Sequence, residues 1–123
     1  MEDRFAKDFL DKMGVVYERQ YEAKDIGRFY DFYIPDARLL IEVDGDYYHG
    51  YGLVHENKNP MQKHNAWVDK QKDLWAAMHG IPVLRIWEHD INDHPAKVRK
   101  ILEENIGKYK EKKDRKDNKD KRH

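Results

Sequence analysis

Hydrophobic and polar positions along the chain follow two periods, and each period predicts a different secondary structure. Apolar residues that recur every three to four positions are typical of helices with one buried face, whereas short β-branched and aromatic runs are typical of strands. The predicted elements in chain order are a helix over 2–13, strands over 15–21, 29–34 and 39–44, a long loop over 45–60, a helix over 61–79, a strand over 82–87 and a helix from near Pro95.

This order, αβββαβα, predicts a single α/β domain in which helices flank a mixed four-stranded sheet. The connection over 35–38 is short, so the second and third strands are expected to pair antiparallel. The long loop is expected to be functional or mobile, because loops of that length are uncommon inside compact domains. The second helix is expected to face the sheet with an apolar side, formed by Trp67, Leu74, Trp75 and Met78.

Charge is balanced over the whole chain but not along it. The 123 residues contain 24 Lys and Arg against 24 Asp and Glu. Residues 108–123 hold nine basic and four acidic residues, a net +5, whereas residues 1–107 hold 15 and 20, a net −5. We therefore expect an acidic domain over 1–107 and a basic tail over 108–123, which either contacts a polyanion or is a solvated extension. The absence of cysteine and of any apolar run near ~20 residues favours an intracellular protein with no membrane contact.

Three carboxylates lie on the second and third predicted strands. Asp31 interrupts an aromatic run on the face of Phe29 and Tyr33, and Glu42 and Asp44 share a face because they are two positions apart. If the strands pair antiparallel, these acids converge, and their mutual repulsion favours a bound cation. A hard divalent ion such as Mg²⁺ fits such a donor set and supports phosphodiester cleavage. The alternative is that these acids are edge residues that face solvent.

His49 follows the third strand, between two glycines that allow the backbone to bend tightly. An imidazole can take a proton from water near pH 7, which is the task of a general base. A lone histidine is more often incidental, but its position just after the acidic strand favours the catalytic interpretation.

Several short motifs occur in an order and spacing that resemble the nuclease core of the PD-(D/E)XK superfamily. They are Asp31-Phe32-Tyr33-Ile34-Pro35, Ile41-Glu42-Val43-Asp44-Gly45, His49, the pair Asn65 and Asp69, Gly80, and Val83-Leu84-Arg85-Ile86-Trp87-Glu88. The pattern resembles in particular the Vsr-like (very short patch mismatch repair) endonucleases and the homing endonucleases named for an E-D-x-H-D signature. The resemblance spans residues 2–92 and implies a restriction-endonuclease-like core and a Mg²⁺-dependent DNA endonuclease.

The resemblance also implies roles for individual residues. The implied catalytic residues are Glu2, Asp31, Asp44, His49 and Asp69, and the implied metal ligands are Asp31, Glu42, the backbone carbonyl of Val43, and Asp44. Glu2 would be the signature acid, His49 the proton-transfer residue, and Asp69 the residue that orients His49 or a water. The superfamily's lysine after the strand acid is missing, so His49 would have to replace it. Mn²⁺ is expected to substitute for Mg²⁺, and the missing cysteines argue against a structural zinc.

DNA is the expected partner, and its phosphates require cations near the acidic site. Candidate DNA-binding residues are Arg19, Arg28, Tyr47, Tyr48, Lys63, Asn65, Lys70 and Arg85, with Lys72 as a further phosphate contact. The tyrosines would stack on bases or, alternatively, pack the loop on the sheet. Cleavage of both strands would favour a homodimer. Two alternatives stay open: a catalytically inactive nucleic-acid-binding module, and a resolvase that acts on branched DNA.

Overall fold

The computed structural model describes residues 1–107, which form a four-stranded mixed sheet with helices on both faces. In chain order the elements are helix α1 over 2–13, strands β1 (Glu18–Ala23), β2 (Arg28–Ile34) and β3 (Leu39–Asp44), the short helix α2 (Asp46–His49), helix α3 (Pro60–Met78), strand β4 (Val83–Trp87), the short helix α4 (Glu88–Asp93) and helix α5 over 95–107. The predicted basic tail over 108–123 lies outside the described residues. None of the helices within 1–107 has both the length and the hydrophobicity needed to cross a bilayer.

The strands lie in the sheet in the order β1-β2-β3-β4. β2 pairs antiparallel with both β1 and β3, whereas β3 pairs parallel with β4, and Asp44 lies beside Trp87 in this last pair. Helix α3 belongs to the crossover connection that a parallel pair requires. The predicted single α/β domain with a mixed four-stranded sheet is therefore confirmed, as is the antiparallel pairing of the second and third strands.

Two hydrophobic clusters fill the two faces of the sheet. The larger cluster packs α1 and α5 against one face, where Phe5, Phe32 and Leu102 are completely buried. The smaller cluster packs α3 against the other face through Trp75, which contacts the sheet around Leu40. The functional side chains of β3 lie on this second face, which is covered by α3 alone among the long helices.

The inner side of α3 differs from the prediction. Trp67, Leu74 and Met78 are 53%, 63% and 76% exposed, so that Trp75 is the one predicted residue that is buried. The buried side of α3 is instead partly polar and includes Lys72. The prediction was wrong because it assumed an apolar interface, whereas this helix covers the acidic half of β3.

Two predicted boundaries also change. The first strand begins at Glu18 rather than at residue 15. The segment over 45–60 is not a plain loop, since it contains α2 and the 3-10 turn His55–Asn57. α2 ends at Gly50, whose left-handed φ of +66° suits a residue without a side chain.

The side chains of β2 change the face of the sheet on which they lie at Asp31. Tyr30 packs in the cluster below α3, whereas Phe32 and Ile34 pack in the cluster below α1 and α5, although a regular strand would place all three on one face. The register of β1 against β2 brings Gln20 opposite Asp31, and Gln20 has a left-handed φ of +52°. Asp31 therefore lies where the strand changes face, and not on a regular face shared with its aromatic neighbours, as predicted.

Candidate functional site

A cleft of about 420 Å³ opens where β3 ends and α1 begins. Its lining consists of Met1, Glu2, Asp3, Arg19, Val43, Gly45, Tyr48 and Glu88. Three carboxylates against one guanidinium give this cleft an acidic lining. The cleft therefore suits a positively charged occupant.

At Asp31 and Glu42, side-chain hydrogen bonds take the place of the backbone ladder that pairs β2 with β3 from Phe32 to Ile34. The Asp31 N–H donates to Glu42 Oε1 at 2.8 Å, and the Val43 N–H donates to Asp31 Oδ2 at 2.7 Å. Buried backbone donors need a partner, and these two carboxylates supply it where the strand turns over. The bonds also hold the Asp31 carboxylate against Val43, a residue of the cleft wall.

No lysine, arginine or histidine within residues 1–107 forms an ion pair with Asp31. Burial, the charge of Glu42 and the carboxyl group of Glu2 within hydrogen-bonding reach together raise the pKa of Asp31 to about 8, against the lowering effect of the Val43 N–H. Carboxylates held together without a cation are a donor set that fits a hard divalent ion. We call Glu2, Asp31 and the backbone of Val43 the Asp31 cluster.

Glu2 reaches the Asp31 cluster from the first turn of α1. Its Oε2 accepts a hydrogen bond from Gln20 Nε2 at 2.8 Å, and the Arg19 guanidinium lies 3.9 Å away. Arg19 is closer to Asp3, at 2.6 Å. Glu2 is thus oriented mainly by a neutral amide, and the structure brings this predicted signature acid beside Asp31.

Glu42 is engaged by protein groups on both oxygens. While Oε1 accepts the Asp31 N–H, Oε2 lies 2.6 Å from the Lys72 ammonium, and both side chains are buried. Burial raises the pKa of Glu42, and Lys72 opposes that effect. With its charge already matched, Glu42 is a weaker metal ligand than the sequence predicts.

A second group gathers around His49, at the C-terminus of α2. His49 Nδ1 lies 2.7 Å from Asp69 Oδ2 of α3, and Nε2 lies 3.6 Å from Asp44 Oδ1 at the end of β3. A carboxylate only accepts hydrogen bonds, so Nδ1 carries the proton that it donates to Asp69, and Nε2 of the neutral ring is left as an acceptor. The hydrogen bond to Asp69 raises the pKa of His49 against the opposing effect of burial.

Arg85 of β4 supplies the positive charge of this second group. Its guanidinium lies 3.3 Å from Asp44, 3.4 Å from Asp69 and 2.7 Å from Asp73. Burial raises the pKa of Asp44, and Arg85 opposes that effect. Burial would also raise the pKa of Asp69, but the hydrogen bond from His49 and the charge of Arg85 lower it overall. We call Asp44, His49, Asp69 and Arg85 the His49 cluster.

The ligand atoms of Asp44, His49 and Asp69 lie within 4.8 Å of one another, close enough to surround an ion. Arg85 lies within 3.4 Å of both carboxylates, however, and His49 uses one nitrogen on Asp69. This guanidinium would compete with an ion for the same carboxylates, and its proximity therefore favours the Asp31 cluster as the place for an ion. Asp44, predicted as a ligand alongside Asp31, is drawn into the His49 cluster instead.

The predicted DNA-binding residues fall into two groups. Arg85 is held among three carboxylates and Lys72 is buried, so that neither presents a free cation to a phosphate, contrary to the prediction. The others are exposed or partly exposed: Arg19 and Tyr48 line the cleft, Tyr47 lies on α2, Arg28 lies at the start of β2, and Lys63, Asn65 and Lys70 lie on α3. Asn65 donates to the Tyr48 carbonyl at 2.8 Å, which ties α2 to α3 and gives Asn65 a structural task.

Sequence reasoning missed Gln62 and the true position of Lys72. Gln62 is buried, completes a capping box with Asn59 at the start of α3, and donates to the Tyr47 carbonyl. The sequence signal for Gln62 is the Asn59-Pro60-Met61-Gln62 spacing, which is typical of a helix start. The signal for Lys72 is its place three residues after Asp69, on the same face of the helix.

A mixed sheet with an acidic cleft, flanked by helices on both faces, is consistent with a nuclease fold. Among solved structures, the chain is similar to one described as "Homing Endonuclease I-Bth0305I Catalytic Domain", with a TM-score of 0.63 and 26% sequence identity, over 89% of this chain and 96% of that chain. No family model and no curated protein matches the sequence. This structural similarity supports the resemblance to DNA endonucleases in general.

Proposed function

We propose that the chain is a metal-dependent DNA endonuclease with a PD-(D/E)XK-type core of the Vsr-like or homing type. The observation that carries the proposal is the Asp31 cluster at an acidic cleft, in which Asp31 itself has no cationic partner within residues 1–107. The cluster lies one residue along β3 from the His49 cluster. The likeness to a homing endonuclease catalytic domain supports the same interpretation. An inactive binding module would have no need of partly buried carboxyl groups that repel one another when ionised, because such an arrangement is costly to maintain without a ligand.

Asp31, Glu2 and the Val43 backbone would hold the ion. The proposed ion is Mg²⁺, and Mn²⁺ is expected to substitute for it. A divalent ion bound there supplies positive charge that stabilises the phosphate during hydrolysis. His49 accepts a proton from the attacking water through Nε2. Asp69 fixes the imidazole by its bond to Nδ1 and stabilises the positive charge that the ring acquires. Arg85 keeps Asp69 and Asp44 ionised beside it.

The proposal is tested by incubating the purified chain with supercoiled plasmid DNA and Mg²⁺ or Mn²⁺, with and without EDTA. Conversion to nicked or linear DNA that EDTA abolishes is the expected result, and linear product would be accompanied by a dimer in light scattering. Binding without cleavage under every metal condition would contradict the proposal and support the inactive module. Cleavage of a four-way junction alone would indicate that the substrate is branched DNA.

A further inference from the structure

Lys72 occupies a position that the proposed catalytic mechanism does not use. It lies in the middle of α3, is 7% exposed, and places its ammonium 2.6 Å from Glu42 Oε2. Tyr30 contacts Lys72 twice: its hydroxyl donates to the Lys72 carbonyl at 2.6 Å, and its ring centre lies 4.9 Å from the Lys72 ammonium. Burying a lysine in this way is costly unless its charge is matched, and Glu42 matches it.

Glu42 connects Lys72 to the Asp31 cluster through its two carboxylate oxygens. The oxygen that Lys72 leaves free, Oε1, accepts the Asp31 N–H, and Asp31 in turn accepts the Val43 N–H. These bonds stand where β2 turns over and an ordinary ladder is missing. The position of the Asp31 carboxylate against Val43, a residue of the cleft wall, thus depends on the placement of Glu42.

We propose that Lys72 is a positioning residue, which holds Glu42 in the hydrogen-bonding position that orients Asp31 for a divalent ion. The inference rests on the proposed function, since it assigns the ion to the Asp31 cluster. Without Lys72, the buried Glu42 side chain loses the partner of its Oε2 and is expected to move toward water. Glu42 then no longer accepts the Asp31 N–H in the same way, and Asp31 loses its alignment.

The experiment measures Mn²⁺ affinity by titration calorimetry, together with the Mn²⁺ concentration that half-saturates plasmid cleavage. Lys72→Met is expected to weaken Mn²⁺ binding at least tenfold. The double variant Lys72→Met/Glu42→Gln is expected to return the affinity to within about threefold of the wild type, because the neutral glutamine retains the oxygen that accepts the Asp31 N–H and needs no counter-charge. Lys100→Met, which removes an exposed lysine of α5, is the matched control and should change neither quantity.

Each outcome decides the inference. Unchanged or tighter Mn²⁺ binding by Lys72→Met overturns it, and so does a folded double variant that stays as weak as the single one. If Lys72→Met does not fold, the double variant carries the test by itself, with near-wild-type affinity expected. A wild-type chain that binds Mn²⁺ but does not cleave DNA contradicts the proposed function alone, whereas a wild-type chain that binds no Mn²⁺ overturns both.

Discussion

The Asp31 cluster and the His49 cluster meet at the end of β3 but differ in what neutralises their carboxylates. In the His49 cluster, Arg85 lies within 3.4 Å of both Asp44 and Asp69. In the Asp31 cluster, partly buried carboxyl groups adjoin one another, and burial with like charge raises the pKa of Asp31 to about 8. Asp44 and Asp69 thus share a guanidinium partner, whereas Asp31 has no cationic partner within residues 1–107.

This difference suggests how two neighbouring groups of acids can serve separate tasks. An arginine that is permanently charged keeps the His49 cluster ionised whether or not an ion is present, so that the imidazole can exchange protons. A site for a divalent ion must remain without a resident cation, and the free protein bears the cost of the repulsion. The two clusters should therefore respond differently to substitutions that remove one carboxylate or one imidazole.

The largest effect is expected for Asp31→Asn. Loss of the charged ligand should remove several kcal/mol of transition-state stabilisation, so that cleavage falls by about 10³-fold or more. Above about pH 8, where Asp31 is ionised in the folded protein, the same variant should be more stable than the wild type when metal is absent, because one of the repelling charges is gone. Thermal unfolding in EDTA and in Mn²⁺ checks both: Mn²⁺ should raise the Tm of the wild type but not of the variant.

Asp93→Asn, at an exposed position of α4, is the control for Asp31→Asn and should behave as the wild type does. An Asp31→Asn protein that is still stabilised by Mn²⁺ would place the ion elsewhere. The His49 cluster, whose ligand atoms are close enough to surround an ion, would then be the site to examine.

His49→Ala is expected to separate proton transfer from metal binding. Removal of a general base typically lowers the rate by about 10²- to 10⁴-fold. Mn²⁺ affinity should stay within about threefold of the wild type, because the Asp31 cluster is intact. Calorimetry with Mn²⁺ and single-turnover cleavage measure the two quantities, and a joint loss of both would show that the clusters form one site.

Asp69→Asn should shift the pH dependence of cleavage. The hydrogen bond to Asp69 raises the pKa of His49, and His49 must be neutral to accept a proton. The wild-type rate should therefore rise with pH through a value above the ordinary imidazole pKa of about 6.5. Without the carboxylate the His49 pKa falls, so the acidic limb of the profile should move to lower pH, and the plateau should fall about tenfold.

Single-turnover rates between pH 5 and 9 at saturating Mn²⁺ give this profile. If the acidic limb of the profile does not move in Asp69→Asn, a group other than His49 is responsible for that limb. Glu103→Gln, an exposed change on α5, supplies a profile that should overlay that of the wild type.

The sequence predicted the sheet well because its strands carry unambiguous signals. β3 is a continuous apolar run broken by acids, and the structure places its bounds, Leu39–Asp44, where the pattern predicts them. The helix α3 was harder to interpret, since Trp67, Leu74 and Met78 have the spacing of a buried stripe but face solvent. Periodicity identifies a helix and one of its faces but does not say which face is buried.

The candidate site was predicted as one group, and the structure divides it into two. The alternation of side chains correctly suggested that Glu42 and Asp44 share a face, where Glu42 contacts Lys72 of α3 and Asp44 contacts Arg85 of β4. Which cation reaches which acid depends on the packing of α3 and β4 against β3. Contacts between residues 30 to 41 positions apart leave no trace in local spacing, so the pattern could not separate the clusters.

The smallest effect concerns Gln20 and Arg38, the two residues within 1–107 that have a left-handed backbone and are not glycine. Such a conformation costs about 1–2 kcal/mol for a residue with a side chain, and glycine avoids the cost at some expense in chain entropy. Arg38→Gly, at an exposed position after a 3-10 turn, should raise the free energy of unfolding by about 0.5 kcal/mol and leave cleavage unchanged.

Gln20→Gly relieves the same kind of strain beside the Asp31 cluster, but it removes the amide that donates to Glu2. A single exposed hydrogen bond to a charged group is worth about 1 kcal/mol, so Mn²⁺ affinity should fall about threefold to fivefold. Titration calorimetry compares the Mn²⁺ affinities of the two variants. Both substitutions relieve backbone strain, but only Gln20→Gly removes a contact with Glu2. Equal Mn²⁺ affinity in Gln20→Gly and Arg38→Gly would mean that Glu2 needs no orientation by Gln20, and would leave Asp31 as the dominant ligand of the cluster.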